Sequence, residues 1–337
     1  MLWNEQEHSR TIPCKIFRGI IMEYRELGNT GLMVSRLCFG GLVIGPLQKN
    51  LTVEEGGEVI AEAFRLGVNF IDTADLYGTY PHIKRAMDIS GIRPIIASKS
   101  YAYDKEGAKK TVDRALTELG LDSIDCFLMH EQESEHTIRG HREALDYYLE
   151  LKQQGVIKAV GISTHHIAAV RAALNIPEID IIHPITNING LGICDGTMDE
   201  MIGAICDIYN QGKGIYGMKP FGGGNLLHSF KECLEYVASI PYLHSIAVGM
   251  QSIEEVRMNV ELFNNLDEAG DKVKDYHPEN AKALHVDFWC EKCGTCVERC
   301  KQGALSLETG ELIVDYDKCV LCGYCSGCCP AFALKMY

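Results

Sequence analysis

Two rows of cysteine near the C-terminal end constrain this chain more than any other feature. Cys290, Cys293, Cys296 and Cys300 form the first row. Cys319, Cys322, Cys325 and Cys329 repeat its spacing, with Pro330 after the last. Both rows read C-x2-C-x2-C-x3-C. A shift of 29 residues maps Cys290 onto Cys319, Cys300 onto Cys329, Ala304 onto Ala333 and Leu305 onto Leu334, so the segment is an internal repeat. Three thiols at such short intervals meet only when the backbone curls tightly around one centre, and a fourth must come from elsewhere. Structural zinc sites usually separate their cysteine pairs by a dozen or more residues. A disulfide framework needs an oxidising compartment. Neither suits this pattern.

The spacing resembles that of bacterial ferredoxins carrying two 4Fe–4S clusters, in which the last cysteine of each row serves the other cluster. The resemblance implies one cluster on Cys290, Cys293, Cys296 and Cys329, and another on Cys319, Cys322, Cys325 and Cys300. Cys328 is then spare. The first row departs from the pattern at Lys301, which stands where the second has Pro330.

At 337 residues the chain has room for one large domain beside this module. Its 46% hydrophobic and 23% charged residues are ordinary for a soluble globular protein. No apolar run approaches a membrane span, and the N-terminal residues lack the apolar core of a signal peptide. Fifteen cysteines without such a signal point to a reducing cytoplasm. A net charge of −14 argues against nucleic acid, whose phosphates demand a basic face, but admits a basic protein partner.

Residues 1–21 match no element and read as an extension. Residues 24–35 carry Gly28-Asn29-Thr30-Gly31 between extended pieces, a hairpin signal. From Arg36 short apolar runs alternate with helical patterns. The runs are 37–41, 68–72, 94–98, 124–130, 157–163, 179–183, 214–218 and 245–250. The helical stretches lie near 53–66, 80–90, 105–119, 138–154, 165–174, 197–211, 224–239 and 252–265. Eight strand–helix units predict an α/β fold, a (β/α)8 TIM barrel, over residues 22–265. The strands are almost wholly apolar, as a parallel sheet covered by helices requires. A polar linker at 266–285 would join the barrel to a small α+β ferredoxin-type module at 286–337.

Barrel enzymes place their chemistry at the C-terminal ends of the strands. There the sequence offers Asp72, Tyr77, Lys99 and His130. Together they make a proton-donating unit for a carbonyl. Lys99 would favour the phenolate of Tyr77, Asp72 would hold Lys99, and His130 would orient the carbonyl oxygen. A hydride must come from a cofactor.

Residues 22–265 resemble the aldo/keto reductase superfamily, on NFIDTADLYG (69–78), IIASKS (95–100), FLMH (127–130) and GIS (161–163). The resemblance implies a catalytic tetrad at Asp72, Tyr77, Lys99 and His130. It implies a nicotinamide site at Ser163, His183, Met218 and Lys219, although the family usually has other residues at the last three. It implies an adenosine site at Gly249, Ser252, Glu255 and Asn259. Glu255 would repel a 2′-phosphate, which tilts the choice toward NADH, while Arg257 or Lys219 would rescue NADPH. The Gly222-Gly223-Gly224 loop and the helix after it could approach a pyrophosphate through backbone N–H groups. With the tail, the chain resembles the branch that fuses this barrel to a ferredoxin domain.

The expectation is an oxidoreductase that reduces a small carbonyl, or oxidises an alcohol, with NAD(P)H. Two 4Fe–4S clusters would serve electron transfer or partner docking. Coupling a two-electron hydride to a one-electron cluster normally calls for a flavin or similar carrier, so a ferredoxin- or flavin-linked oxidoreductase is the alternative. An electron-carrier protein is then a candidate partner. A ferredoxin-like carrier on a non-catalytic barrel is the third reading.

Overall fold

The computed structural model describes residues 16–17, 20–264 and 283–336, apart from 301, 309 and 320–323. Within the 1–21 extension, Ile16–Phe17 pairs antiparallel with Ile20–Ile21; residues 1–15 lie outside the described residues. The expected hairpin forms from β1 (Tyr24–Glu26) and β2 (Met33–Ser35), paired antiparallel. It closes the N-terminal end of the barrel. Leu27, Leu32 and Val34 are buried with the inward side chains of the barrel strands. Gly28 allows this contact: its φ is +57°, and a Cβ there would lie 2.3 Å from the Gly214 nitrogen.

Eight parallel strands form a closed ring in chain order: β3 (Leu37–Gly40), β4 (Phe70–Asp72), β5 (Ile95–Ser100), β6 (Ile124–Met129), β7 (Ile157–Thr164), β8 (Ile181–Pro184), β9 (Gly214–Gly217) and β10 (Ser245–Gly249). Around them lie α1 (Val53–Arg65), α2 (Tyr80–Ser90), α3 (Lys105–Leu119), α4 (Glu135–Gly140), α5 (Arg142–Gln153), α6 (Ile167–Ala173), α7 (Met198–Asn210), α8 (Phe230–Ser239) and α9 (Ile253–Asn264). Alternation along each strand sorts the core. Phe39, Ile71, Ile96, Phe127, Ile162, Ile182, Ile215 and Ile246 pack outward against the helices. Cys38, Phe70, Ala97, Cys126, Ala159, Ile181, Tyr216 and Ala247 fill the inside. Burying each large apolar side chain contributes roughly 1.5–3 kcal/mol.

Helix starts follow their caps. Thr52 and Glu55 form a capping box for α1, and Thr197 and Glu200 one for α7. Two helical stretches differ from expectation. The 138–154 stretch is divided at His141 into α4 and α5. The 224–239 stretch begins only at Phe230, because Gly222, Gly223 and Gly224 all take positive φ (55°, 64° and 92°), which an α-helix cannot accommodate.

The linker expected at 266–285 falls largely outside the described residues. The C-terminal module begins with β11 (Leu284–Val286), paired antiparallel with the last strand, β14 (Leu334–Met336). Between them come α10 (Thr295–Arg299), β12 (Leu305–Glu308) paired with β13 (Glu311–Val314), and α11 (Tyr324–Gly327). The sequence repeat recurs in space: α10 and α11, and β12 and β14, start the same 29 residues apart as the cysteine rows.

Candidate active site

One residue from each strand end faces inward at the C-terminal rim. Continuing the alternation from the inward core positions gives Gly40, Asp72, Lys99, His130, Ser163, His183, Met218 and Gly249. Four strand-end expectations therefore share one rim with three of the tetrad. The fourth tetrad member, Tyr77, arrives on a short 3-10 turn, Asp75–Tyr77, directly after β4.

Lys99 and Asp72 form a buried ion pair. Lys99 Nζ lies 2.6 Å from Asp72 Oδ1, 2.8 Å from Oδ2, and 2.8 Å from the carbonyl oxygen of Thr73. Tyr216, which the sequence reading passed over, donates its hydroxyl to Asp72 Oδ1 at 2.9 Å. The same inward parity that marks the core could have identified it. Lys99 Nζ stands 5.0 Å from the centre of the Tyr77 ring. The Tyr77 and His130 rings meet edge to face at 5.8 Å. Tyr101 stacks on His130 at 4.3 Å and donates its hydroxyl to Glu131 at 2.7 Å.

The electrostatics correct one expectation. Lys99 does not bring Tyr77 down: burial, followed by the charge of Asp72, pushes its phenol well above the ordinary value. The physical reason is that the loss of water and the nearby Asp72 carboxylate outweigh the Lys99 charge, whose three N–H donors are taken by Asp72 and Thr73. Tyr77 is therefore a neutral phenol. Burial, reinforced by Lys99, holds His130 well below its ordinary value, so it is a neutral imidazole. His130 Nδ1 is buried without a hydrogen-bond partner, as is Gln132 Oε1 close behind it. Buried polar atoms are normally paired, and among the described residues neither of these has a partner.

The expected nicotinamide contacts divide. Ser163 is buried at the rim, with its Oγ accepting from the Glu131 backbone at 2.9 Å and its hydroxyl proton still available. Met218 is buried there and extends the β8–β9 pairing through a bridge to Ile185. His183 is buried and engaged inside the barrel. Its ring lies flat on Tyr216 at 3.8 Å, Nδ1 donates to the Tyr216 carbonyl at 2.6 Å, and Nε2 faces Asp72 at 3.6 Å. Because Nδ1 carries the proton of this neutral imidazole, Nε2 faces Asp72 without donating to it. Lys219 turns aside, with Nζ 3.0 Å from His165 Nε2.

The expected adenosine contacts also divide. Gly249 has a packing reason: a Cβ there would lie 2.4 Å from Val43 Cγ1. Ser252 and Glu255 cap α9. Ser252 Oγ accepts from the Glu255 backbone at 3.2 Å, and Glu255 Oε2 accepts from the Gln251 backbone at 2.7 Å. The Glu255 oxygen therefore points back into the chain, which weakens its expected part against a phosphate. Asn259 donates to the Glu255 carbonyl at 2.8 Å, while its buried Oδ1 has no partner. Arg257, the expected rescuer of NADPH, pairs with Glu62 at 2.9 Å.

In the C-terminal module, Cys290, Cys293, Cys296 and Cys329 line one small pocket, walled by Leu307, Leu312 and Leu334. These are the four thiols expected to act together. Among the described residues no three Cys, His, Asp or Glu side chains converge on a single metal ion. Of the second set, Cys325 is buried and Cys300 and Cys319 pack beside it; Cys322 lies outside the described residues. Cys328 approaches the Cys325 carbonyl at 3.2 Å.

A family model described as the aldo/keto reductase family matches residues 36–232, ending before the cysteine module. L-galactose dehydrogenase of Arabidopsis thaliana is 24% identical over 291 residues, covering 74% of this chain and 90% of that protein. Pyridoxine 4-dehydrogenase of Escherichia coli is 30% identical over 222 residues, covering 58% of this chain and 73% of that protein. The holo form of an aldo-keto reductase from Bacillus halodurans shares the fold with a TM-score of 0.61 at 24% identity, over 74% of this chain and 91% of that one. No helix among the described residues is long and apolar enough to cross a membrane.

Proposed function

The chain belongs to the aldo/keto reductase family, and from that premise we propose that Asp72, Tyr77, Lys99 and His130 are the tetrad with which it reduces a small carbonyl or oxidises the matching alcohol. The observation that carries this reading is their convergence: Lys99 lies 2.6 Å from Asp72 and 5.0 Å from the Tyr77 ring, and that ring meets His130 at 5.8 Å.

Tyr77, kept protonated by burial, donates its proton to the carbonyl oxygen. The charge of Lys99 meets the phenolate left behind, and Asp72, held by Tyr216, keeps that charge in place. His130, neutral, orients the same oxygen by a hydrogen bond. A bound nicotinamide would supply the hydride. Ser163 and Met218 would face its carboxamide end, and Asn259 its adenine. Between residues 248 and 259 the one basic side chain, Arg257, is engaged by Glu62, which favours NADH over NADPH.

The module from β11 to β14 is read as a carrier of two 4Fe–4S clusters that serve electron transfer or docking of a partner. The row spacing and the four-thiol pocket support that reading. When bound, such clusters would supply one-electron transfer.

The test is anaerobic. Iron and sulfide are assayed, and NADH and NADPH are titrated while nucleotide fluorescence and cluster absorbance are followed. Nucleotide binding with hydride transfer to a small aldehyde is the expected result. Nucleotide binding that bleaches the clusters would instead favour the ferredoxin- or flavin-linked reading. Failure of either nucleotide to bind would sink the reductase reading.

A further inference from the structure

Tyr77 owes its place to the loop 73–79, between β4 and α2. The base of this loop is pinched inside the protein. The Thr73 and Thr79 hydroxyls share a hydrogen bond of 2.7 Å, and both residues are fully buried. The loop after β3 presses on one flank. A Cβ on Gly45 would lie 2.7 Å from the Tyr77 carbonyl oxygen, and one on Gly78 would meet Pro46 at 3.2 Å. The Asp75–Tyr77 turn has a further partner on α3, Arg114.

Arg114 grips Asp75 twice. Its Nη2 donates to the Asp75 carbonyl oxygen, and its Nε lies 3.0 Å from Asp75 Oδ1. That oxygen is buried and has no hydrogen-bond partner, so the contact with Nε is an ion pair without a directed hydrogen bond. Burial pushes the Asp75 carboxyl up, and the charge of Arg114 opposes the shift. A second carboxylate, Glu118, stands farther from the same nitrogen, at 3.6 Å. The guanidinium also lies 6.0 Å from the centre of the Tyr80 ring at the start of α2. Helix α3 is itself fixed, with Ala108, Val112, Ala115 and Leu119 buried in the core. Arg114 therefore ties a rigid helix to the stretch that carries Tyr77.

An exposed ion pair adds little to stability, and the Arg114 side chain is 43% exposed. Here, however, the guanidinium also holds a main-chain carbonyl two residues from the Tyr77 ring. Such a contact acts on position more than on stability. A misplacement of about 1 Å at a reacting group costs about 10²-fold in rate.

We propose that Arg114 is a positioning residue for the reaction: by holding the carboxylate and the carbonyl of Asp75, it sets the turn from which the Tyr77 hydroxyl meets the carbonyl oxygen. It acts through Tyr77. This rests on reading Tyr77 as the proton donor.

The experiment uses the full chain with Arg114→Met, Arg114→Lys, Tyr77→Phe and the double variant Arg114→Met with Tyr77→Phe. Rates are measured with butanal and NADH, and NADH affinity by fluorescence titration. Arg114→Met should lower kcat about tenfold or more, with KM, NADH affinity and melting temperature little changed. Arg114→Lys should restore part of the loss. In the Tyr77→Phe background Arg114→Met should cost nothing further, because the hydroxyl it positions is gone. Equal losses in the two backgrounds would mark a general disturbance and overturn the proposal, as would a kcat equal to wild type in Arg114→Met. A second readout needs no turnover. With tyrosine labelled by 13C at Cζ, the Tyr77 resonance is the one missing from Tyr77→Phe. It should shift or broaden in Arg114→Met and move back in Arg114→Lys. An unmoved Tyr77 resonance overturns the proposal whatever the rate. A chain that reduces no butanal, but whose Tyr77 resonance answers to Arg114, would fail the reductase reading and uphold the placement of Tyr77 by Arg114.

Discussion

Lys99 Nζ reaches both oxygens of Asp72, at 2.6 and 2.8 Å, inside the rim of the barrel where neither residue meets solvent. Breaking a buried pair from one side leaves the other charge without compensation, at a cost of about 3–5 kcal/mol. Lys99→Met should therefore lower unfolding free energy by about that much. The double variant Asp72→Asn with Lys99→Met should lose much less than the sum of its parts, since neither charge remains. Urea unfolding of the four proteins in the cycle measures this coupling. Additive losses would mean that the two side chains act independently.

Tyr77 bears on the chemistry more than on the fold. Tyr77→Phe removes the proton donor, and carbonyl reduction should fall about 10²–10⁴-fold in kcat/KM, the usual contribution of a positioned general acid. Nucleotide affinity and iron content should stay as they were. Because burial raises the phenol well above its ordinary value, reduction should show no loss from its ionisation up to the ordinary phenol range. Alcohol oxidation needs the deprotonated oxygen, so its rate should climb with pH over the same interval. Initial rates in both directions across pH test this. Comparable activity in the variant would remove Tyr77 from the mechanism.

The barrel was legible because its signals are local and periodic. Eight apolar runs set the strands, and Asp72, Lys99 and His130 stand at the ends of three of them, so they could be placed at the barrel mouth before any coordinate. What stayed hidden depends on contacts between distant segments. Tyr216 hydrogen-bonds Asp72 across 144 residues, and its run, GIYGM, gives no hint of that. His183 lies flat on the Tyr216 ring, a contact that its own run does not announce either. The late start of α8 follows from three glycines that also make room for Phe332. Nothing in a linear pattern foretells that the cysteine module rests on that loop.

Four buried histidines, His130, His165, His183 and His244, make the barrel acid-sensitive. Burial lowers His183 to about 4 and His244 to about 4, from an ordinary 6.5, with Asp72 opposing the shift at His183. The unfolded chain takes up protons near 6.5, whereas the folded chain resists until near 4. Between those values the unfolded state binds more protons, so stability falls as pH falls. Each residue contributes about 3 kcal/mol to that loss once pH nears 4. His244→Gln cannot be protonated and should remove its own share, one of four, of the histidine part of the slope. Thermal unfolding of both proteins between pH 7 and 4.5 gives the comparison. Parallel curves would show that His244 is not the source.

Cys296 and Cys328 offer a contrast within one small module. Cys296 is buried and lines the pocket with Cys290, Cys293 and Cys329, whereas Cys328 belongs to neither expected ligand set. If each set holds one 4Fe–4S cluster, Cys296→Ser removes a ligand from the first alone. Anaerobically purified protein should drop from about eight irons per chain to about four, with acid-labile sulfide falling in step. Cys328→Ser should keep the full complement, which controls for general disturbance of α11 and its neighbours. An iron-to-protein ratio unchanged by Cys296→Ser would refute the assignment. So would equal losses in the two variants, because proximity to the module, not ligation, would then decide the outcome. Loss of both clusters in Cys296→Ser alone would mean that the crossed ligands, Cys300 and Cys329, make the two sites fold as one unit.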